Sequence, residues 1–403
     1  MMTQIKSLWR NRDFLVVWGG QSISMFGTRV SYIAWIWWVL TRTDSPTAVA
    51  AIGISAALPS LLLGPIAGAI DDRLDRRKIM MAMDLINAAV FGAAAFLMFC
   101  DLLVVWHVYV LTALSATAMA FHRPSLQSSI PNLVSGDQLT RANSFYQISR
   151  GVCGLVGLFA GGILVGTIGV VPTLWLDATT FLIAGLSLLF VAFPSPRTSQ
   201  GESWRRILQD TISGFRFLLS RKSLFYLILL FALINFLLAP IGVLLSLMSK
   251  DVFNAGPQGL GALNAAIAVG LLVGGFLTAS LKRFQKRGAM ILLGLLAIGV
   301  LIALFGVSTN LYVSLGVLAV LGIFIAIVNV LESVIYQTRV PNELQGRVFA
   351  AQFAVCDGLQ PVSLAAIGGL LVVFSAPVVL IGSGVAVILA VLGTFSIKGI
   401  QAL

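Results

Sequence analysis

Six ionisable side chains stand inside long apolar stretches of this sequence, where a charge needs a physical reason. They are Arg29, Asp84, Arg150, Asp177, Glu332 and Asp357. An ionisable group in a membrane-spanning helix costs about 2.5–3.5 kcal/mol on insertion scales, so each one requires a partner, a water-filled cavity or a functional role. A carboxylate whose surroundings alternate between apolar and polar also binds and releases a proton. These six residues are therefore the first candidates for ligand contact and proton coupling.

The two arginines are predicted to face a cavity. Arg29 lies near the middle of its apolar stretch, and Ser22, Met25 and Tyr32 share one helical face with it. Arg150 lies deep in a later stretch. The alternative for Arg29 is a salt bridge that only holds helices together, and the alternative for Arg150 is a pairing with acids of nearby loops.

Two of the acids lie in the second half of the chain. Glu332 forms a polar helical face with Asn329 and Tyr336 at i−3 and i+4. Asp357 falls about 16 Å into its stretch, near the middle of a bilayer. We predict that both acids titrate or contact a substrate. The alternatives are a snorkelling side chain for Glu332 and a structural arginine partner for Asp357.

Asp84 and Asp177 are placed nearer the beginnings of their apolar stretches. We expect both to fall in the first turns of their helices, where the helix dipole favours a carboxylate. A functional contact is the alternative for each.

The composition predicts a membrane protein. Of 403 residues, 58% are hydrophobic and 10% are charged, which lies outside the usual range of soluble domains. Because the cations of a membrane chain mark its topology, the formal charge of +11 is weak evidence for nucleic-acid binding. The three cysteines and two histidines have no metal-ligand spacing, so we expect no metal and no cofactor.

A helix needs about 20 apolar residues to cross the hydrocarbon core, and the chain offers twelve such stretches. We predict an all-α protein with spans near 14–40, 47–70, 79–100, 103–122, 139–166, 171–193, 224–249, 258–281, 289–307, 311–337, 347–372 and 377–397. Lys and Arg concentrate in alternate loops, so the positive-inside rule places those loops and both termini in the cytoplasm. The expected location is a bacterial-type cytoplasmic membrane.

The chain divides into two halves of six spans. We predict an N-terminal half at 1–193, a cytoplasmic linker with an interfacial helix at 194–222, and a C-terminal half at 223–403. An offset of 210 residues aligns "NRDFL" with "RKSLF", "DRLDRR" with "KRFQKR" and "IPNLVSG" with "VPNELQG". Because each half has an even number of spans, the repeat is parallel, about a pseudo-twofold axis along the membrane normal.

The loop "GPIAGAIDDRLDRRKIM" between spans two and three resembles the signature of the major facilitator superfamily. The residues that fit it are Gly68, Asp72, Arg73, Arg76 and Arg77. Asp75 stands where the signature usually has glycine. Together with "AFHRPSLQSSIPNLVSGDQLTRANSF" after span four, the loop is similar to the drug-efflux branch that includes macrolide and siderophore exporters. The similarity is clearest over residues 10–190.

The resemblance implies a gate at this loop. In family members an aspartate here meets the start of a neighbouring helix and latches the two halves on the cytoplasmic side, while the basic residues pair with acids and helix ends. Gly64 and Gly68 are four apart on one face, which favours close approach of a helix. The gate candidates are Gly64, Gly68, Asp72, Arg73, Arg76 and Arg77. A basic loop that only sets topology is the alternative.

The resemblance also implies a cavity lined by spans one and ten, with Asp84 near the inner gate and Asp177 in an outer polar contact. The candidates for substrate contact are Met25, Arg29, Tyr32, Trp35, Asn235, Asn329 and Glu332. An interfacial aromatic belt is the alternative for Trp35.

Two positions depart from the family pattern. Ser115 stands where many relatives carry an arginine in span four, and Leu158 follows Gly157 where antiporters often have proline. We therefore expect proton coupling to depend on the intramembrane acids and Arg29. Gly157 and Gly161 are predicted to form a close helix contact.

These features predict a secondary transporter. The sequence has no phosphate-cradling Gly-Lys-Ser/Thr loop and no nucleophile–base–acid set, which argues against an ATP-driven pump and against an enzyme. We expect a monomer that exports an amphiphilic molecule, such as a macrolide-type drug, by alternating access and proton antiport. Its expected partners are lipid, substrate and protons. The alternatives are export of a siderophore or lipid-like metabolite, and a non-transporting membrane receptor or assembly protein.

Overall fold

The computed structural model describes residues 8–71, 74–135, 138–191, 216–280, 287–356 and 358–395. Regular structure in these ranges is helical, without strands. The α-helices are α1 (Arg12–Thr43), α2 (Pro46–Asp71), α3 (Arg76–Phe99), α4 (Val105–Leu133), α5 (Leu139–Thr167), α6 (Val170–Ser187), α7 (Lys222–Leu238), α8 (Ile241–Leu247), α9 (Gly256–Ser280), α10 (Arg287–Val307), α11 (Leu311–Arg339), α12 (Asn342–Cys356), α13 (Gln360–Val373) and α14 (Ala376–Phe395). The predicted interfacial helix of the linker lies almost wholly outside the described residues.

Ten stretches of the described chain are long and apolar enough to cross a membrane, which makes this a multi-pass α-helical membrane protein. Two long helices, α1 and α4, are not among them. They measure 32 and 29 residues, which is ample length for a span. Their polar side chains lower the hydropathy, so for these two helices the membrane span stays a prediction.

Three predicted spans have different boundaries in the structure. Span seven, expected as one helix over 224–249, consists of α7 and α8, with Ala239 and Pro240 between them. Span four, expected to end at residue 122, continues as α4 through Pro124 and Pro131 to Leu133. A proline removes one helical hydrogen bond, but packing and neighbouring groups can carry the helix through it. Span eleven, expected as one helix, consists of α12 and α13. Asp357 is between them and outside the described residues.

The described residues fall into two compact units. The first falls within Met1–Thr43 and Ser55–Gly201, and the second within Asp44–Ile54 and Glu202–Leu403. In the first unit α1 packs on α5 and α6, and α3 packs on α4 and α6. In the second unit α10 packs on α11 and α14, and α9 packs on α11. The third span of each unit therefore packs on the fourth and sixth.

Glycines bring α1 and α5 close together in the first unit. A Cβ added to Gly161 would lie 2.9 Å from Val30 Cα, and one added to Gly157 would lie 2.7 Å from Arg29 Cβ. The predicted Gly157–Gly161 contact is confirmed. Because Arg29 packs directly over Gly157, this close approach also fixes where the arginine leaves α1.

The beginning of α2 belongs to the second unit. A Cβ added to Gly368 of α13 would lie 3.3 Å from the Ala50 side chain. Asp44, just before α2, forms an ion pair with Lys250. The second unit thus includes a short piece of chain from the N-terminal half.

Candidate functional site

A cavity of about 240 Å³ opens in the first unit among α1, α4, α5 and α6. Helix α1 supplies five lining residues and α4 supplies five more. The lining residues are Gln21, Ser24, Met25, Thr28, Arg29, Met119, His122, Arg123, Leu126, Gln127, Tyr146, Arg150, Cys153 and Phe181. The main walls of the cavity are therefore α1 and α4, the two long helices that are more polar than the ten apolar stretches.

Three arginines line this cavity, each from a different helix. Arg29 comes from α1, Arg123 from α4 and Arg150 from α5. The Arg150 guanidinium carbon lies 6.0 Å from the centre of the Tyr146 ring, at the outer limit of a cation–π contact. Among the described lining residues there is no aspartate or glutamate. The electrostatic character of the cavity is strongly positive.

Asp84 lies behind the cavity wall and holds two of its side chains. Its Oδ2 accepts a hydrogen bond from Gln21 Nε2 at 2.9 Å, and its Oδ1 lies 3.2 Å from His122 Nε2. All three side chains are buried. A buried carboxylate with two polar partners orients both of them, so Asp84 determines how Gln21 and His122 face the cavity.

The helix-dipole interpretation of Asp84 and Asp177 is wrong. Helix α3 begins at Arg76 and α6 at Val170, so both acids lie about two turns inside their helices. Asp75 is the acid that caps α3, and its side chain accepts from the backbone of Arg77 at 3.0 Å.

Asp177 is fully buried away from the cavity. Its Oδ1 accepts a hydrogen bond from Thr180 Oγ1 at 3.2 Å. It packs directly on Gly27 of α1, where an added Cβ would collide with both the Asp177 and the Thr180 side chains. The structure therefore places Asp177 in the contact between α1 and α6.

The first two residues of α3 contact two neighbouring helical segments. Arg76 Nη1 donates to the Ser128 carbonyl at 3.0 Å, near the end of α4. Arg77 Nη2 donates to the Leu189 carbonyl at 2.8 Å, just after α6. A cation near a helix C-terminus is favourable because it meets the negative end of the helix dipole. These two gate candidates tie α3 to its neighbours.

The remaining gate candidates are Gly64, Gly68, Asp72 and Arg73. A Cβ added to Gly64 meets no atom within 4 Å, so the close helix neighbour expected there is absent from the described structure. Gly68 lies in α2. Asp72 and Arg73 lie outside the described residues.

Glu332, a candidate site residue of the second unit, is also buried. Glu332 in α11 is 7% exposed, and its Oε1 accepts a hydrogen bond from Gln352 Nε2 of α12 at 2.6 Å. Tyr336, one turn later, is fully buried, whereas Asn329 is exposed. The three residues do not form one uniform polar face. Asn235 donates to the Phe231 carbonyl of its own helix at 2.9 Å.

The aromatic candidates of α1 do not line the cavity. Trp35 is 6% exposed and its ring lies 6.3 Å from that of Phe91 in α3, so it belongs to the helix interface. Tyr32 is 37% exposed and is outside the set of lining residues. Met25 and Arg29, from the same predicted face, do line the cavity.

Arg123 and His122 are lining residues for which the sequence predicted no contact with a cavity. The segment "HRP" has a charge followed by a proline, which is typical of a loop, and the predicted span ended there. The available signal was the apolar spacing that continues through Leu126, Ile130 and Leu133, all of which are buried. That spacing favours a longer helix.

Packed apolar helices around a polar, cation-lined cavity define a membrane transporter. The chain belongs to the transmembrane secretion effector family of the major facilitator superfamily, whose family model matches residues 6–400. Members of this family and the relatives found are transporters, so the chain is not an enzyme.

The curated relatives include bacterial efflux pumps. The chain is 26% identical to macrolide efflux protein A of Streptococcus pyogenes over 353 residues, which cover 87% of each chain. It is 25% identical to the multidrug efflux pump Tap of Mycolicibacterium fortuitum over 351 residues, or 85% of each. Both of these relatives are named as efflux proteins, and the chain is similar to them over most of its length.

Solved transporters share the fold. The nucleoside transporter NupG matches with a TM-score of 0.72 at 15% identity, covering 96% of this chain and 99% of the other. A POT family transporter in complex with 5-aminolevulinic acid matches with a TM-score of 0.76 at 11% identity, covering 97% of each. At these identities the likeness shows the fold alone.

Proposed function

We propose that this protein exports an amphiphilic small molecule across a bacterial cytoplasmic membrane by alternating access. The carrying observation is the polar cavity of the first unit, which is lined by both charged and apolar side chains of α1, α4, α5 and α6. A cavity of this mixed character suits a ligand with an apolar body and a polar group. Relatives named as macrolide and multidrug efflux pumps support the direction of transport.

The proposed energy source is a proton gradient acting through buried acids. Glu332 is buried with a single described hydrogen-bond donor, Gln352, which leaves its charge without a described cation. Burial without a cation favours the protonated form of a carboxylate, and contact with water or a cation favours the charged form. A change in the surroundings of Glu332 would therefore make it bind or release a proton. Asp357 remains a second proposed coupling residue, and Arg29 a proposed charge partner.

The proposed cytoplasmic gate is the loop before α3. Support comes from the hydrogen bonds of Arg76 and Arg77, at the start of α3, to the Ser128 and Leu189 carbonyls, which link α3 to α4 and to the segment after α6. Asp72 is proposed to complete this latch. Asp72→Asn is then expected to increase the accessibility of the cavity from the cytoplasm.

Susceptibility profiling tests the export function. The protein is expressed in a bacterial host that lacks its major efflux pumps, and growth is measured against a panel of macrolides, other amphiphiles and small hydrophilic drugs. We expect protection against one or more amphiphilic classes and none against the hydrophilic drugs. Equal susceptibility of expressing and empty-vector cells across the panel, with the protein abundant in the membrane, would contradict export.

A further inference from the structure

We propose that the first-unit cavity binds an acidic group, so that the exported compound is an anionic amphiphile bearing a carboxylate or phosphate. This inference rests on the proposed export function and names its substrate class. It starts from the three arginines that three helices direct to one cavity, namely Arg29, Arg123 and Arg150.

None of these arginines forms an ion pair with a described residue. Asp84 contacts two lining residues, and its two oxygens already meet Gln21 and His122. The positive charges of Arg123 and Arg150 also act on Arg29, so the three cations repel one another within the cavity. All three arginines are exposed, so the cavity presents their charges to an incoming ligand, and a bound anion would offset the repulsion.

Guanidinium groups are suited to this role. Each presents a planar set of donors that matches the two oxygens of a carboxylate or the oxygens of a phosphate. Arg29, Arg123 and Arg150 come from α1, α4 and α5, so guanidinium donors from three helices line the same cavity.

The remaining wall is suited to an apolar body. Met25, Met119, Leu126 and Phe181 line the same cavity. Methionine side chains adapt to ligands of different shape, which suits an exporter of varied compounds. An amphiphile with one acidic group therefore fits both parts of the wall, whereas a small inorganic anion uses only the arginines.

Binding to the full-length protein in phosphatidylcholine nanodiscs tests the proposal. The probes are dansyl-labelled undecanoate and its uncharged amide, which share the tail and the fluorophore. We expect the parent protein to bind the carboxylate about tenfold or more tightly than the amide, because each charge-assisted pair with arginine is strong. Equal affinities for the two probes would overturn the proposal.

Substitutions of the cavity arginines test whether the preference for the carboxylate probe over the amide probe arises in this cavity. Arg123→Gln and Arg150→Gln are each expected to weaken carboxylate binding about tenfold and to leave amide binding unchanged, which also shows that the variant is folded. Arg123→Lys and Arg150→Lys are expected to retain part of the preference, because the charge remains. Arg141→Gln, on the exposed start of α5 and outside the cavity, is the matched control. Gln variants that keep the full preference would contradict the assignment.

Changing the lipid of the nanodisc tests whether the cavity binds a free compound or the headgroup of a membrane lipid. Partial replacement of phosphatidylcholine by phosphatidylglycerol is expected to leave carboxylate binding unchanged. Loss of binding would show that an anionic lipid occupies the cavity and would overturn the substrate assignment.

Export of both probes from loaded cells separates this inference from the function on which it rests. Export of the amide but not of the carboxylate refutes the inference and leaves export standing. Export of neither probe, with the arginine-dependent preference intact, counts against export and leaves the anion site standing.

Discussion

Asp84 and Glu332 are both buried carboxylates, but their surroundings give them different roles. Asp84 lies between Gln21, which donates a hydrogen bond to it, and His122, so it belongs to a small polar group behind the cavity. Glu332 has one described partner, the Gln352 amide, which donates to it. A neutral amide stabilises a carboxylate less than a cation does, so Glu332 is the better group for repeated protonation.

Glu332→Gln is expected to uncouple transport from the proton gradient. The new amide keeps the shape of the side chain and can still pair with Gln352, but it cannot exchange a proton. In vesicles, accumulation against a substrate gradient is expected to fall about tenfold or more, while downhill exchange continues.

Asp101→Asn is the matched control for this change. Asp101 is an exposed acid between α3 and α4 with a φ of 56°, a conformation that asparagine also adopts readily. Uphill accumulation by Glu332→Gln equal to that of the parent would show that this acid is structural.

At the scale of the helices, the close packing of α1 on α5 depends on two glycines of α5, which have no side chain. Gly161 meets the backbone of Val30 and Gly157 meets Arg29. This close approach gives dispersion contacts and also sets two walls of the cavity, since Arg29 and Arg150 come from these two helices. Gly157 and Gly161 therefore determine both the packing of α1 on α5 and the positions of two cavity walls.

Gly161→Ala is expected to destabilise the protein and to lower its melting temperature. The added Cβ would lie 2.9 Å from Val30 Cα, a backbone atom that cannot turn away. Overpacking of this kind costs roughly 1–3 kcal/mol. Thermal unfolding of the detergent-solubilised protein measures the effect.

Gly154→Ala, in the same helix, is the control for this substitution. A Cβ there meets no atom within 4 Å, and alanine favours the helix over glycine by about 0.5–1 kcal/mol. We expect an unchanged or slightly higher melting temperature. Equal destabilisation by both substitutions would mean that the α1–α5 contact is looser than described.

Hydropathy and spacing predicted most helices because a membrane imposes strong rules on both. The span predicted at 139–166 corresponds to the helix Leu139–Thr167, and the span predicted at 311–337 corresponds to the helix Leu311–Arg339. The extension of α4 was not predicted, since its polar and proline residues are compatible with a loop until tertiary packing is known. For the same reason Arg123 was missed as a cavity residue, and the contact between Asp84 and His122 had no signal in the sequence.

At the scale of the whole molecule, the charges proposed to bind substrate and protons lie in different compact units. The arginine-lined cavity is in the first unit and Glu332 is in the second. A coupled transporter must link the two binding events, so the proposed mechanism requires that a change at one unit alters the other. Both units must also keep the predicted membrane orientation.

Cysteine labelling at the two ends of α3 tests that orientation. Leu74, before α3, and Leu102, after it, are exposed leucines at 52% and 60%. In a background without Cys100, Cys153 and Cys356, Leu74→Cys is expected to react only from the cytoplasm and Leu102→Cys only from outside. Labelling of both from the same side would refute the predicted topology.

Transport into proteoliposomes with an imposed pH gradient tests the central claim most directly. For protein in the inside-out orientation, export carries the compound into the lumen as protons leave it. We predict that an acidic lumen drives accumulation above the external concentration, and that an ionophore that removes the gradient abolishes it. Accumulation that is the same with and without the gradient, or no flux beyond that of protein-free liposomes, would contradict proton-driven export.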